Sequence, residues 1–159
     1  STGATDAETI TVNPAPDTTP PTVVSIADDD ADDAATVGAT VNYTVTFSED
    51  INAATVTAAD FANAVATGGA TYTIGAIVES SPGVFVVPVT FTGAGSFRLQ
   101  VLTANTITDA AGNALATGAT DAETITVSAT SDVPTGVNLV NDPVSGGQAI
   151  QIGGTSGND

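Results

Sequence analysis

The residues best suited to chemistry in this chain are its carboxylates. Its 159 residues include 18 Asp and Glu but no His, no Cys and a single basic residue, Arg98, so the formal net charge is −17. Common bases and nucleophiles are therefore missing, and carboxylate pairs that cleave glycosides need aromatic clefts that a chain with 4% aromatic residues does not offer. We expect no enzymatic activity. Nucleic acids and anionic membranes are excluded as partners, because both are bound through Lys and Arg.

Calcium is the ligand that these side chains suit best. It takes roughly six to eight oxygen ligands from carboxylates, amides and carbonyls. The acidic stretch "ADDDADDAA" (27–35) has alternating carboxylates that could wrap a cation, although it lacks the Gly and distal Glu of an EF-hand. The alternative is that such residues form solvated turns, in which Asp and Asn bond their own backbone. The candidate calcium ligands at loop positions are Asp17, Asp28, Asp30, Asp32, Glu49, Asp50, Asp109 and Asn113.

Short alternating segments are expected to position these loops. In "VNYTVTF" (41–47) every second residue is apolar, which predicts a half-buried β-strand. The segments "TYTIGAIV" (71–78), "VFVVPVTF" (84–91) and "FRLQVL" (97–102) show the same alternation. Pro88 cannot donate to a strand ladder, so the third strand is predicted to lie at an edge or to contain a bulge.

The remaining segments complete an all-β pattern. "TVVSI" (22–26) and "ETITV" (123–127) predict shorter strands, and "TAADFANA" (57–64) predicts a single helical turn. Six or seven short strands without a long helix indicate an Ig-like antiparallel β-sandwich of about seven strands. No apolar run approaches the length of a membrane span.

An internal repeat indicates how the chain is organised. The segment "TGATDAETITV" occurs at Thr2–Val12 and again at Thr117–Val127, an offset of 115 residues. Repetition at a fixed period is typical of tandem arrays. We therefore expect residues 1–12 to be the last strand of a preceding repeat, 13–21 a proline-rich linker, 22–128 the sandwich, and 129–159 a linker or tail.

Three segments resemble the bacterial Ig-like repeats of surface-layer proteins and of giant repetitive adhesins. They are "DTTPPTVVSI" (17–26), "VTFSEDINAATVTAADF" (45–61) and "ITDAAGNAL" (107–115). The resemblance implies calcium at domain junctions, with ligands among Asp17, Asp109, Asn113, Asp121 and Glu123. The end of the chain, "GTSGND" (154–159), is similar to the start of the Gly- and Asp-rich calcium repeats of exported RTX proteins, although a flexible Gly/Ser tail is an equal alternative.

Three functions follow as hypotheses. The first is an extender repeat of a long extracellular bacterial surface protein, stiffened by calcium and in contact with neighbouring repeats of the same chain. The second is a subunit of a homopolymer, in which "ETITV" from the first copy adds to a sheet edge of another molecule. The third is a module that binds sugar or ice through exposed rows such as Thr44 and Thr46.

Overall fold

The computed structural model describes residues 11–130 in full and the backbone of 137–141 and 148–152. Contacts divide the chain into two compact units, with the boundary after Ser128. Two predictions lie outside the described residues, namely the conformation of 1–10 within the first repeat copy and that of "GTSGND" at 154–159. Within the described part, no helix has the length and apolar character needed to cross a membrane.

The secondary structure consists of short strands and two single turns of 3-10 helix, Ala53–Thr55 and Ala58–Asp60. The second of these turns lies inside the segment predicted to form one helical turn. In chain order the strands are β1 (Val23–Asp28), β2 (Ala34–Thr36), β3 (Thr40–Phe47), β4 (Phe61–Asn63), β5 (Tyr72–Ile74), β6 (Val78–Ser81), β7 (Val84–Phe91), β8 (Gly95–Phe97), β9 (Leu99–Val101), β10 (Ala119–Thr120), β11 (Ile125–Ser128), β12 (Val137–Asn141) and β13 (Gln148–Ile152).

The first unit is a two-layer β-sandwich. One layer has the strand order β1-β3-β7-β5, with β6 also paired to β7, and every pairing in it is antiparallel. The other layer contains β2-β11-β8 and β10-β9-β4, in which only the pairing of β2 with β11 is parallel. The chain therefore crosses from the first layer to the second between β1 and β2, which together form the divided first strand of the sandwich. Two mainly antiparallel layers packed face to face are the Ig-like arrangement, so the predicted fold class is confirmed.

The described part of this unit has eleven strands where about seven were predicted, because several extended runs are interrupted. Arg98 separates β8 from β9, and four residues separate β10 from β11. The second unit is described only as an antiparallel pair of β12 with β13.

The core contains the side chains that the alternation predicts to point inward. Tyr43, Phe85, Phe91 and Phe97 are almost completely buried. The ring of Phe97 lies against Tyr43, Phe91 and Tyr72, with centroid separations of 5.8, 5.4 and 4.7 Å. Tilted and edge-to-face pairs of this kind add about 0.5–1.5 kcal/mol each beyond the area that they bury. The aromatic residues therefore hold the two sheets together.

The prediction of one continuous strand over 71–78 is wrong. Strand β5 ends at Ile74 and β6 begins at Val78, which is 57% exposed rather than buried. Between the two strands, the Gly75 N–H donates to the carbonyl of Pro88 at 2.8 Å. The break therefore lies opposite the proline of the neighbouring strand.

The strand containing Pro88 was predicted to lie at an edge or to contain a bulge. The edge position is wrong, and the register with β3 runs unbroken across Pro88. Strand β7 is central, with β3 on one side and β5 and β6 on the other. The carbonyl of Pro88 faces Gly75, and the nitrogen of a strand residue points to the same side as its carbonyl. The missing N–H therefore faces Gly75, so the reciprocal bond to Gly75 cannot form and the pairing of β7 with β5 ends there.

One buried carboxylate holds two loops of the sandwich together. Asp60 is 2% exposed and accepts four hydrogen bonds, from the N–H and hydroxyl of Thr57 (both 2.8 Å) and from the N–H (2.6 Å) and hydroxyl (3.0 Å) of Thr106. Burial alone raises the pKa of Asp60, but these hydrogen bonds outweigh it and the pKa is lowered. No sequence pattern marks Asp60, because a single Asp in a turn has no spacing to recognise.

We expect Asp60→Asn to lower the free energy of unfolding by about 3 kcal/mol at pH 7, because an amide nitrogen cannot accept and leaves buried donors unpaired. The folded pKa of Asp60 lies below the unfolded value of about 4, so its stabilisation is present above that value and is lost as the pH falls through the folded pKa. Urea unfolding of both proteins should therefore show a difference that shrinks in acid. Asp50→Asn, at an exposed carboxylate, is the control and should change little. A constant difference across pH would contradict this account.

Candidate functional site

Three carboxylates meet where the leading segment reaches the sandwich. Asp17 lies in that segment, Glu49 in the turn after β3, and Asp109 in the loop before β10, and one carboxylate oxygen of each lies within 4.8 Å of the others. We call this group the leading cluster. Partial burial, the charges of Asp17 and Asp109, and a hydrogen bond with Asp17 raise the pKa of Glu49. The three groups therefore repel one another unless a proton or cation lies among them.

Asn113 holds the leading cluster together. Its backbone N–H and its side-chain Nδ2 donate to the carboxylate of Asp109 at 2.8 and 2.7 Å, and Nδ2 also donates to the carbonyl of Asp17 at 3.2 Å. Burial raises the pKa of Asp109, but these bonds outweigh burial and lower it. Asp17 in turn accepts the N–H of Thr19 at 2.9 Å. The structure therefore combines the predicted turn chemistry with a convergence of Asp17, Glu49 and Asp109.

A second group of carboxylates lies where the first strand changes sheets. Asp28 ends β1, Asp33 immediately precedes β2, and Glu123 lies between β10 and β11. One carboxylate oxygen of each lies within 4.8 Å of the others. We call this group the edge cluster. Asp33 has a φ of 53°, a left-handed conformation that Asp tolerates, and its carbonyl accepts the N–H of Thr126 at 2.8 Å. This bond fixes Asp33 beside β11.

Two inward-facing carboxylates lie at the edge cluster, one from each sheet. Asp28 is the register partner of Tyr43, so both side chains lie on the inner face of the first sheet. In the second sheet Thr120 pairs with Gln100, and the Asp121 N–H donates to the carbonyl of Leu99 at 2.9 Å. Asp121 therefore lies on the inner face as Leu99 does, and it is 4% exposed.

Several polar atoms in this region have no hydrogen-bond partner. Within the fully described residues, 11–130, the buried side-chain atoms without a partner are Asp28 Oδ2, Tyr43 Oη, Arg98 Nε and Asp121 Oδ2. Burial raises the pKa of Asp28, and the charges of Asp121, Asp33 and Glu123 raise it further. Burial also raises the pKa of Asp121 in spite of N–H donors and the charge of Arg98. An unpaired buried charge is costly, and a bound cation would remove that cost.

The structure separates the predicted run of Asp28, Asp30 and Asp32. Asp28 Oδ1 accepts the Asp30 N–H at 2.9 Å, and Asp30 Oδ1 accepts the Asp32 N–H at 3.0 Å. These bonds form two successive turns in which Asp side chains bond the nearby backbone, as the alternative to a calcium loop predicted. Asp30 and Asp32 belong to neither cluster, and the same holds for Asp50.

Asp29 and Asp33 were not among the predicted calcium ligands. Asp29 accepts the backbone N–H and the side-chain Nδ2 of Asn42, both at 2.8 Å, and so attaches the acidic loop to β3. Asp33 breaks the alternation that selected Asp28, Asp30 and Asp32, and only its adjacency in the acidic run could have drawn attention to it.

The donors in both clusters fit calcium. All are carboxylate oxygens, which a hard cation prefers, whereas softer transition metals favour the His and Cys that this sequence lacks. The unpartnered oxygens of Asp28 and Asp121 add unused acceptors beside the edge cluster.

Residues 17–131 match the family model described as the bacterial Ig-like domain, a range that contains the sandwich from β1 to β11. The chain belongs to the bacterial Ig-like domain family. A solved structure of FdeC, described as a novel broadly conserved Escherichia coli adhesin, is 23% identical to this Ig-like chain, with a TM-score of 0.35. The match covers 65% of this chain and 31% of that one, so the chain spans less than a third of the length of the solved chain. No curated protein matched.

We expect Asn113→Ala to release the leading segment from the domain and to lower the free energy of unfolding by about 2 kcal/mol in chelator, because Asp109 and the carbonyl of Asp17 lose their shared donor. Limited proteolysis should then cut before residue 22 more readily. Asn105→Ala is the matched control, since Asn105 bonds only backbone groups of its own loop. Equal cleavage in the two variants would show that Asn113 does not hold the segment.

Proposed function

We propose that this Ig-like domain is an extender repeat of a long bacterial surface or secreted protein, with a mechanical rather than catalytic role. The observation that carries the proposal is the position of the two ends of the sandwich. Val23 starts β1 beside Phe47, the last residue of β3, whereas Ser128 accepts the N–H of Val37, three residues before β3 begins. The chain therefore enters at one end of β3 and leaves near the other, about 26 Å apart for an eight-residue strand. Domains joined through opposite ends extend a chain in line.

Calcium at the leading cluster would stiffen such a chain. Asp17 belongs to the segment that leads into the domain, and Glu49 and Asp109 belong to the domain itself. A cation bound by all three would fix the direction in which the segment meets the sandwich. The prolines of residues 13–21 already favour an extended, semi-rigid segment. With millimolar calcium and a dissociation constant of about 10⁻⁵ to 10⁻⁴ M, binding would stabilise the domain by about 1.4 to 2.7 kcal/mol.

The stability effect is testable on the 159-residue chain. Calcium should raise the midpoint of thermal unfolding of the sandwich by roughly 5 to 10 °C relative to chelator at matched ionic strength, because binding of this strength stabilises only the folded state. Magnesium should not do so, since it requires stricter octahedral geometry. Asp17→Asn with Glu49→Gln should reduce the rise, whereas Asp50→Asn should leave it unchanged. An equal response to magnesium and calcium would argue for screening of charge and against a site.

The extender role itself predicts a length. A protein containing residues 13–128 three times in tandem should remain monomeric, and its maximum dimension in small-angle X-ray scattering should grow by more than about 26 Å with each repeat. Chelator should shorten it if calcium stiffens the junctions. Self-association at micromolar concentration would favour the strand-exchange polymer instead, and a collapsed, length-independent envelope would rule out a spacer.

A further inference from the structure

The edge cluster differs from the leading cluster because it joins the two sheets of one domain. Asp28 comes from the first sheet, whereas Glu123 lies in the link between two strands of the second. Asp33 lies on the connection that carries the first strand from one sheet to the other. A ligand held by all three would therefore bridge the sandwich at the point where its first strand changes partners.

The buried groups behind this cluster distinguish it from an ordinary acidic surface. Asp121 is 4% exposed and faces inward, as Asp28 does, and the Oδ2 atom of each has no partner. The hydroxyl of Tyr43 is fully buried and also has no partner. Burial raises the pKa of Tyr43, and the charges of Asp28 and Asp121 raise it further. Three buried oxygens without a partner therefore belong to inward-facing residues, and two of these residues, Asp28 and Tyr43, are direct register partners.

Asp60 shows how this protein satisfies a buried carboxylate without an ion. At 2% exposure it receives four hydrogen bonds from two threonines. Asp121 is almost as deeply buried, yet one of its oxygens receives none. Arg98, the only basic residue, does not supply the missing bond through Nε, which is itself buried without a partner.

We propose that Asp28, Asp33 and Glu123 bind a calcium ion between the two sheets, with Asp121 and the hydroxyl of Tyr43 completing the inner side of the site. Glu123 is exposed and Asp28 is partly exposed, so an ion can reach the site from solvent. The ion would neutralise the inward-facing carboxylates and join β1 to the link before β11. The proposal does not depend on the extender role or on calcium at the leading cluster.

Terbium luminescence tests the position of this ion in the 159-residue chain. Terbium replaces calcium in oxygen sites, and its emission is excited by nearby tyrosine with an efficiency that falls steeply with distance. The chain has no Trp and two Tyr. Tyr43 lies on the strand next to β1, whereas Tyr72 lies on β5, three strands from β1 and about 14 Å away. The hydroxyl of Tyr72 is occupied by the N–H of Asn63 at 3.0 Å.

We expect tyrosine-excited terbium emission that calcium displaces. Tyr43→Phe should abolish the emission, and Tyr72→Phe should retain it. Asp28→Asn and Glu123→Gln should abolish it as well, whereas Asp30→Asn and Asp32→Asn, in the same acidic loop, should not. Retention of emission in Tyr43→Phe, or its loss in Tyr72→Phe, would overturn the proposal.

The sign of a stability change gives an independent test. Asp121→Asn should raise the unfolding temperature in chelator, because it removes a buried charge whose Oδ2 atom has no donor, and should reduce the further rise on adding calcium. Asp60→Asn should lower the unfolding temperature in both conditions. If Asp121→Asn also lowers it in both, Asp121 has a purely structural role and the proposed site is wrong.

The proposals of calcium at the leading cluster and at the edge cluster can be tested separately. If wild-type protein gives no terbium emission but its calcium-dependent stabilisation is removed by Asp17→Asn with Glu49→Gln, the leading cluster binds calcium and the edge cluster does not. If emission and its loss in Tyr43→Phe are observed while those two substitutions have no effect, the edge cluster alone binds calcium.

Discussion

Every buried carboxylate in this protein needs donors or a cation, and a chain with one basic residue cannot supply the cation from its own side chains. Asp60 and Asp109 meet this requirement with hydrogen bonds from threonine and asparagine. Asp28 and Asp121 meet it only in part. The same constraint accounts for the positions of the two clusters, because both lie at loops and strand ends, where the sandwich is open to ions from solvent.

The alternation of apolar residues predicted the inner faces of the longest strands well. In residues 41–47 and 84–91 the period of two is unbroken, and every predicted inward residue is buried. The same pattern failed over 71–78, because Val78 satisfies the alternation but its strand is displaced by the break opposite Pro88. That break depends on which strand lies beside the proline, which local sequence does not specify. Likewise, the crossing of the chain from the first sheet at β1 to the second sheet at β2 depends on the pairing of β2 with β11, which is far away in sequence.

The candidate ligands were predictable as residue types and not as sets. The resemblance to junction-binding repeats grouped Asp17, Asp109, Asn113, Asp121 and Glu123. The structure brings the first three together with Glu49, whereas Glu123 belongs to the edge cluster. The run of Asp28, Asp30 and Asp32 has the spacing of a calcium loop, but two of its carboxylates cap the backbone two residues ahead. Asp28 instead meets Asp33 and Glu123, and the second of these is 95 residues away in the chain. The register between strands determines that these three carboxylates lie close together, and spacing within a loop does not reveal that register.

The two clusters lie at different points on the path by which tension would cross the domain. Force applied to the leading segment first reaches Asp17 and then β1, which is bonded along its length to β3. Force applied beyond Ser128 reaches β11, which is paired in parallel with β2, and β2 follows β1 directly in the chain. The edge cluster lies between these two strands, with Asp28 at the end of β1 and Glu123 just before β11. An ion there would resist separation of the sheets at the point where both loads meet. An ion at the leading cluster would instead control the angle between successive domains.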